Sequence, residues 1–277
     1  MSDSTRRLLR EPLGALGLVL VLVIVASAAF ADLLAAYQPT QLDIRNRLSE
    51  PTAQHWFGTD HLGRDTFSRV VHGGRVALLV SLVSVGLSLA IGLVLGMLAG
   101  YGPRWLDNTL VLAFDAVRSF PTIMFALAVV TLFGPSLETV VFIVVVTSIP
   151  VYGRIVRTQT LSLKAQEFIL AERAMGAGAA RVLLHHILPN VIGPVLILAS
   201  MEVPVVITIE AGLSFLGLGV RPPTPSWGSI LNDGYGFIRD TPWLILAGGL
   251  PVIMTTLGFT FLGEALRDVF DPRLKRE

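Results

Sequence analysis

The chain contains no cysteine, which excludes disulfides, thiol catalysis and any metal centre built on cysteine. Lysine is almost as scarce. The two lysines, Lys164 and Lys275, follow Leu163 and Leu274, so no Gly-Lys pair exists and no Walker A phosphate loop can form. No Gly-x-Ser-x-Gly elbow is present, which leaves a hydrolase of that kind without its nucleophile turn. Charged residues make up 15% of the chain, where a soluble domain carries about 25%. The net charge of +1 offers nothing to nucleic acid. The five histidines (His55, His61, His72, His185 and His186) include no i, i+4 pair of the helical zinc type, so no metal site is expected.

What the chain has is apolar length: 53% hydrophobic residues and a mean hydropathy of +0.69. A bilayer core of about 30 Å needs roughly 20 apolar residues per helix. Six runs qualify: 13–31, 76–101, 119–137 with a helical lead-in from about 106, 139–153 with its flanks, 191–220 and 241–263. The expected fold class is an all-α membrane protein with six transmembrane helices and both termini on one side. Lysine and arginine decide which side. With the N-terminus inside, the cytoplasmic segments hold thirteen basic residues: Arg6, Arg7, Arg10, Arg104, Arg154, Arg157, Lys164, Arg173, Arg181, Arg267, Arg273, Lys275 and Arg276. The outer segments hold seven, Arg45, Arg47, Arg64, Arg69, Arg75, Arg221 and Arg239. The asymmetry predicts both termini in the cytoplasm. The first run ends in Ala29-Phe30-Ala31, like a signal-peptide cleavage site, but exceeds the usual apolar region of about 7–15 residues and is taken as a retained helix.

Within the second run Ser84, Ser88, Gly92, Gly96 and Gly100 recur every fourth residue. Such a stripe lets another helix approach closely, in this chain or in a partner. Residues 37–75 are turn-rich on the outer side, and 66–74 reads as an interfacial amphipathic helix leading into the second span. Residues 221–242 form a second outer loop, stiffened by Pro222, Pro223 and Pro225, with Trp227 and Trp243 suited to the membrane interface. Ionisable residues inside spans are functional candidates, here Asp115, Glu202 and Glu210. Asp115 has Arg118 at i+3 as a natural partner. Glu202 and Glu210 stand about 80° apart around a helix, with Pro204 between them, and can line one cavity, neutralise an arginine or cap a broken helix.

The most distinctive stretch is polar and lies between two apolar ones: 167–189, EFILAERAMGAGAARVLLHHILP. Arg154, Arg157 and Lys164 precede it. Phe168, Ala171 and Met175 form one apolar stripe at helical spacing, flanked by Glu172 and Arg173. Gly176 is placed to end that helix in a sharp turn, and Pro189 to start the next. On the cytoplasmic side this is a docking surface for another protein.

The segment resembles the EAA loop of ABC-importer permeases, through Leu170-Ala171-Glu172, then Gly176, then Leu188-Pro189; Leu170 stands where that family usually has Glu, and Glu172 where it has Ala. Four further strings are similar to the C-type permease of dipeptide and oligopeptide importers: Gly58-Thr59-Asp60 with Gly63-Arg64-Asp65; 213–219 (LSFLGLG); 222–228 (PPTPSWG); and 266–273 (LRDVFDPR). The resemblance spans nearly the whole chain. It implies the type I ABC importer permease fold, with 1–75 carrying the first span and an extracytoplasmic loop, and 76–277 the permease core with a cytoplasmic coupling segment at 160–189. It implies a B-type permease as heterodimer partner, two ATPase subunits below, and an extracytoplasmic peptide-binding protein above, in a bacterial inner membrane. The chain itself would be non-catalytic and hold no cofactor, ATP and Mg being bound by the ATPases. Phe168, Ala171, Glu172, Arg173, Met175, Gly176 and Pro189 would couple to them, and Glu202 and Glu210 would be candidates to line the pathway.

The alternative from another class is a self-sufficient channel or secondary transporter using Glu202 and Glu210. A membrane enzyme working with carboxylates is a further one, though it lacks a paired motif. The 160–189 segment discriminates, because a lone channel has no use for it. Dipeptide, oligopeptide, glutathione and nickel chelate all stay open as cargo.

Overall fold

A computed structural model describes residues 11–270; Arg6, Arg7, Arg10, Asp271, Pro272, Arg273, Lys275 and Arg276 lie outside that range. The described residues form α1 (Pro12–Ala29), α2 (Ala31–Leu34), α3 (Thr66–Tyr101), α4 (Arg104–Ser119), α5 (Thr122–Phe133), α6 (Leu137–Lys164), α7 (Glu167–Ala174), α8 (Ala179–Arg181), a π-helical stretch (Val182–Ile187), α9 (Leu188–Phe215), α10 (Trp227–Gly236) and α11 (Trp243–Phe270). Five stretches are unbroken helices long and apolar enough to cross a bilayer: Pro12–Ala29, Thr66–Tyr101, Leu137–Lys164, Ala179–Phe215 and Trp243–Asp268. A sixth span exists if α4 and α5 are taken together.

The expected third span is thus corrected. Rather than one rod from the lead-in at about 106 on through 137, the lead-in is α4, the span is the shorter α5, and the two meet at an 89° bend. Phe120 between them is extended, with φ −90° and ψ 131°. Pro121 accounts for the break, since proline disfavours a helical residue before it and lacks the N–H a continuing helix needs. The expected interfacial helix at 66–74 is corrected too. It is the first part of the 36-residue α3, and Thr66, Ser68, Arg69, Val70 and Val71 are buried rather than laid on a membrane surface.

The chain divides into two compact units. One takes in Met1–Val83, Ala126–Val141 and Met201–Glu277, the other Ser84–Phe125 and Phe142–Ser200. In the first, α1 packs on α11 at backbone distance: a Cβ on Gly17 would lie 2.7 Å from the backbone nitrogen of Leu262. Arg75 ties down the C-terminal end of α1, donating from Nε to the carbonyl of Ala28 at 2.7 Å and from Nη2 to Asp32 Oδ2 at 2.8 Å. A cation at that end also complements the helix dipole.

In the second unit the small-residue stripe finds its partner within the chain. Ser88 Oγ reaches the carbonyl of Val145 at 3.4 Å. A Cβ on Gly96 would lie 2.6 Å from the carbonyl oxygen of Gly153, and one on Gly100 would lie 2.8 Å from that of Arg157. The register of four therefore sets α3 against α6.

Candidate functional site

The polar segment begins where α6 ends. Lys164 Nζ donates to the carbonyl of Tyr101 at 2.8 Å and stands 5.2 Å from the centre of the Tyr101 ring, so one amine closes the C-terminus of α3 and makes a cation–π contact. Arg157 holds Asp107 with both ends of its fork, Nη2 to Oδ2 at 2.7 Å and Nε to Oδ1. Arg154 pairs with Asp115, which corrects the expected Asp115–Arg118 pair: the partner comes from another helix, not from the next turn. All three basic residues ahead of the segment are therefore engaged inside the chain.

In α7, Ile169 is fully buried and anchors the helix. Phe168, Leu170 and Met175 are 46%, 50% and 76% exposed, and Ala171 and Arg173 are exposed beside them. The apolar stripe seen in the sequence is thus turned outward. Glu172 is half-buried and faces His186 Nε2 at 3.5 Å, while the Phe168 ring meets the His186 ring edge-on at 6.4 Å. His186 was not legible as a partner of α7, because nothing in the spacing marks it.

The end of α7 is a Schellman turn. The Ala177 N–H donates to the Glu172 carbonyl and the Gly176 N–H to that of Arg173, each at 3.0 Å. Gly176 has φ +90°, a conformation open to glycine and costly for a residue with Cβ. Pro189 is the second residue of α9 (Leu188–Phe215), a position for a helix start, but helical turns already lead into it. Helix resumes at Ala179 and runs on as far as Phe215, with the π-helical turns at 182–187 just ahead of Pro189. An i→i+5 register there accommodates a residue that has no N–H to give.

Of the two carboxylates in the fifth span, Glu202 is half-buried and Glu210 fully buried. Ser214 Oγ donates to Glu210 Oε1 at 2.7 Å, and the Val220 N–H reaches Ser214 Oγ at 3.3 Å. Ser226 also stands beside the Glu210 carboxylate, although among the described residues Oε2 meets no partner at full hydrogen-bond geometry. The following loop folds tightly on the same turn: a Cβ on Gly228 would lie 2.2 Å from the carbonyl oxygen of Ala211. The strings 213–219 and 222–228 thus belong to one packed element, in which Ser226 and Ser229 form a reciprocal capping box at the start of α10.

A second buried polar cluster lies in the same unit. Asp60 accepts from Arg64 Nε at 2.6 Å and from Arg69 Nη1. Arg69 Nη1 also lies 3.2 Å from Asp233 Oδ2, and Arg64 Nη2 lies 3.5 Å from it. Burial works against the Asp60 charge, but Arg69 and Arg64, with the N–H groups of Leu62 and Arg64, outweigh it and lower its pKa. Asp60, His61 and Asp233 have ligand atoms within 4.8 Å of one another. A metal ion there would meet two guanidinium groups, so the cluster is an ion network tying the 58–69 segment to α10.

Comparison with known proteins follows this geometry. The profile of the binding-protein-dependent transport system inner membrane component family matches residues 92–276, and that of the N-terminal TM domain of oligopeptide transport permease C matches 1–51. The chain is 38% identical over 273 residues to the dipeptide transport system permease protein DppC of Alkalihalophilus pseudofirmus, covering 99% of this chain and 90% of that protein. To the glutathione transport system permease protein GsiD of Pectobacterium atrosepticum it is 39% identical over 271 residues, covering 98% and 90%. Among solved structures, an inward-facing MetNI methionine ABC transporter superposes with a TM-score of 0.62 at 20% identity, over 73% of this chain and 97% of that one. This likeness gives the type I importer permease fold, and the reading as a self-sufficient channel is not favoured. With a family profile over two thirds of its length and full-length relatives above 30% identity, the chain belongs to the binding-protein-dependent transport system inner membrane components, as a membrane-spanning permease subunit of an ABC importer.

Proposed function

We propose that this chain is the C-type permease of a peptide importer, forming half of the translocation pathway beside a B-type permease. The reading of the cargo is supported by the dipeptide and glutathione transport names of its relatives. Its termini lie in the cytoplasm of an inner-membrane protein, as the basic asymmetry implies. Two ATPase subunits bind ATP and Mg; this chain has no Gly-Lys pair with which to do so and hydrolyses nothing. A binding protein delivers peptide from the opposite side.

The observation that carries the coupling role is α7: a short helix with Phe168, Leu170 and Met175 exposed, anchored by Ile169 and closed by the Gly176 turn. Phe168, Ala171 and Met175 enter a groove on the ATPase, and Glu172 and Arg173 meet its rim. Burying such side chains against a partner is favourable by about 25 cal/mol per Å² of apolar surface. Movement of the ATPases then pulls on a rigid lever, α7 to Pro189, that feeds the long fifth span. Glu202 and Glu210 on that span are the pathway candidates.

The test is affinity purification of the tagged chain from its native membrane. A second permease, ATP-binding subunits and a peptide as co-bound ligand are expected, with ATPase activity in the complex and none in the chain alone. Purification as a lone subunit that passes solute without ATP would overturn the reading. Cysteines placed at the exposed positions Ala53 and Gly178 check the topology: an impermeant thiol reagent should label position 53 and spare 178 in intact cells, and the reverse would invert it.

A further inference from the structure

The first unit contains an apolar groove of ≈ 470 Å³ that the transport reading does not use. Its walls come from α1 (Val23, Ile24, Ser27), from the start of α3, and from α11 between Trp243 and Met254. Its floor is Val70, Trp227 and Ala247, which are 7%, 2% and 5% exposed. Among the described residues no charged one lines it. The polar groups of Ser27 and of the floor are already engaged: Ser27 Oγ donates to the Ile24 carbonyl at 2.8 Å, and Trp227 Nε1 to that of Val70 at 2.8 Å. Water needs two to four polar partners to occupy a cavity, and this floor offers none. An empty groove would forfeit the dispersion contacts of its whole lining.

Two features identify the occupant. The groove opens onto the outward surface of two helices long and apolar enough to cross a bilayer, because Val23 of α1 and Leu250 of α11, both in its wall, are 51% and 52% exposed. It is therefore continuous with an apolar face that a bilayer would meet wherever no partner helix covers it. Its run along α11, from Trp243 to Met254, covers about 16 Å of helix, half of the ~30 Å hydrocarbon core. That is the depth of one leaflet. Trp56 and Trp243, 62% and 41% exposed, belong to the same lining; Trp243 begins α11 at the end where interfacial indoles are favoured. We propose that this groove is a lipid site, which seats one acyl chain of a phospholipid from the leaflet on the side of the 35–65 segment. The chain would pack as a fixed filler between α1, α3 and α11.

The test uses the full chain in its assembled complex, in vesicles of phosphatidylethanolamine and phosphatidylglycerol containing a phosphatidylethanolamine with a mid-chain diazirine. After illumination, adducts are mapped by peptide mass spectrometry. Adducts are expected on the floor residues Val70, Trp227 and Ala247 as well as on exposed Val19, which is a control for lipid contact. Ala247→Phe fills the groove and should remove the floor adducts while sparing those on Val19; Ser27→Phe, from the opposite wall, serves if that variant does not accumulate. A labelled Val19 with an unlabelled floor would mean that the groove is closed or covered by a partner helix, and would overturn the proposal. Floor adducts that persist in the filled variant would do the same.

Discussion

The indole N–H of Trp227 donates to the carbonyl oxygen of Val70 at 2.8 Å, across 157 positions of sequence. It holds the N-terminus of α10 against the buried start of α3, where Gly73 makes room: a Cβ there would lie 3.0 Å from Trp227 Cδ1. Trp227→Phe loses the donor and part of the buried ring. It should lower stability by about 1–3 kcal/mol, read as a lower thermal midpoint in detergent. Trp105→Phe, at a residue 68% exposed, should leave the midpoint in place. Equal midpoints for the two variants would refute the anchoring role.

Asp60 gives the network that it forms with Arg64 and Arg69 an acid-sensitive element. Its pKa is lowered in the folded chain, so the folded state binds fewer protons than the unfolded one. The stabilisation is present above the ordinary carboxylate value of about 3.9 and is lost as pH falls through the folded value. Hydrogen-exchange protection of residues 58–69 should therefore fall as the medium is acidified below about pH 4. Asp60→Asn leaves two buried guanidinium groups short of a counter-charge, at a cost of about 3–5 kcal/mol, and should abolish the acid dependence of protection in that segment. An acid response unchanged in Asp60→Asn would assign it to another group.

At Gly176, φ of +90° and open space around the Cβ position separate backbone strain from crowding. Gly176→Val should cost about 1–2 kcal/mol, unwind the turn and re-aim α7. Insertion should persist, since every apolar span is untouched, while ATPase pull-down weakens and peptide-dependent growth stops. Gly176→Asn, which tolerates a left-handed backbone better, should recover much of both. If the valine variant docks and transports like its parent, the coupling assignment at this position is wrong.

Glu210→Gln keeps an acceptor for Ser214 Oγ and removes the charge. Assembly should persist and uptake should fall. Glu210→Leu also removes the acceptor that Ser214 bonds and should reduce assembly as well. Unchanged uptake in the glutamine variant at normal expression would confine Glu210 to holding the turn at 213–220.

The sequence by itself determined the apolar spans, the lack of any phosphate loop, the register of the small-residue stripe and the position of the helix-ending glycine. Each of these is a local property: hydropathy over a bilayer's length, a missing dipeptide, a spacing of four, a backbone angle that only one residue type adopts cheaply. Local signals also misplaced features. Pro121 breaks a run that hydropathy reads as continuous, and 66–74, amphipathic by pattern, is buried because α10 and its tryptophan cover it. Only the tertiary structure decided where charged side chains go. Arg154 and Arg157 pair with Asp115 and Asp107 on α4, Lys164 with the end of α3, Glu172 with His186, and Asp60 with two arginines and, through them, Asp233. A charge in a sequence has no direction; its partner is fixed by which helices the packing brings within a few ångströms. The apolar groove is of the same kind, since its walls come from α1, α3 and α11, remote in sequence and adjacent only once the chain has folded.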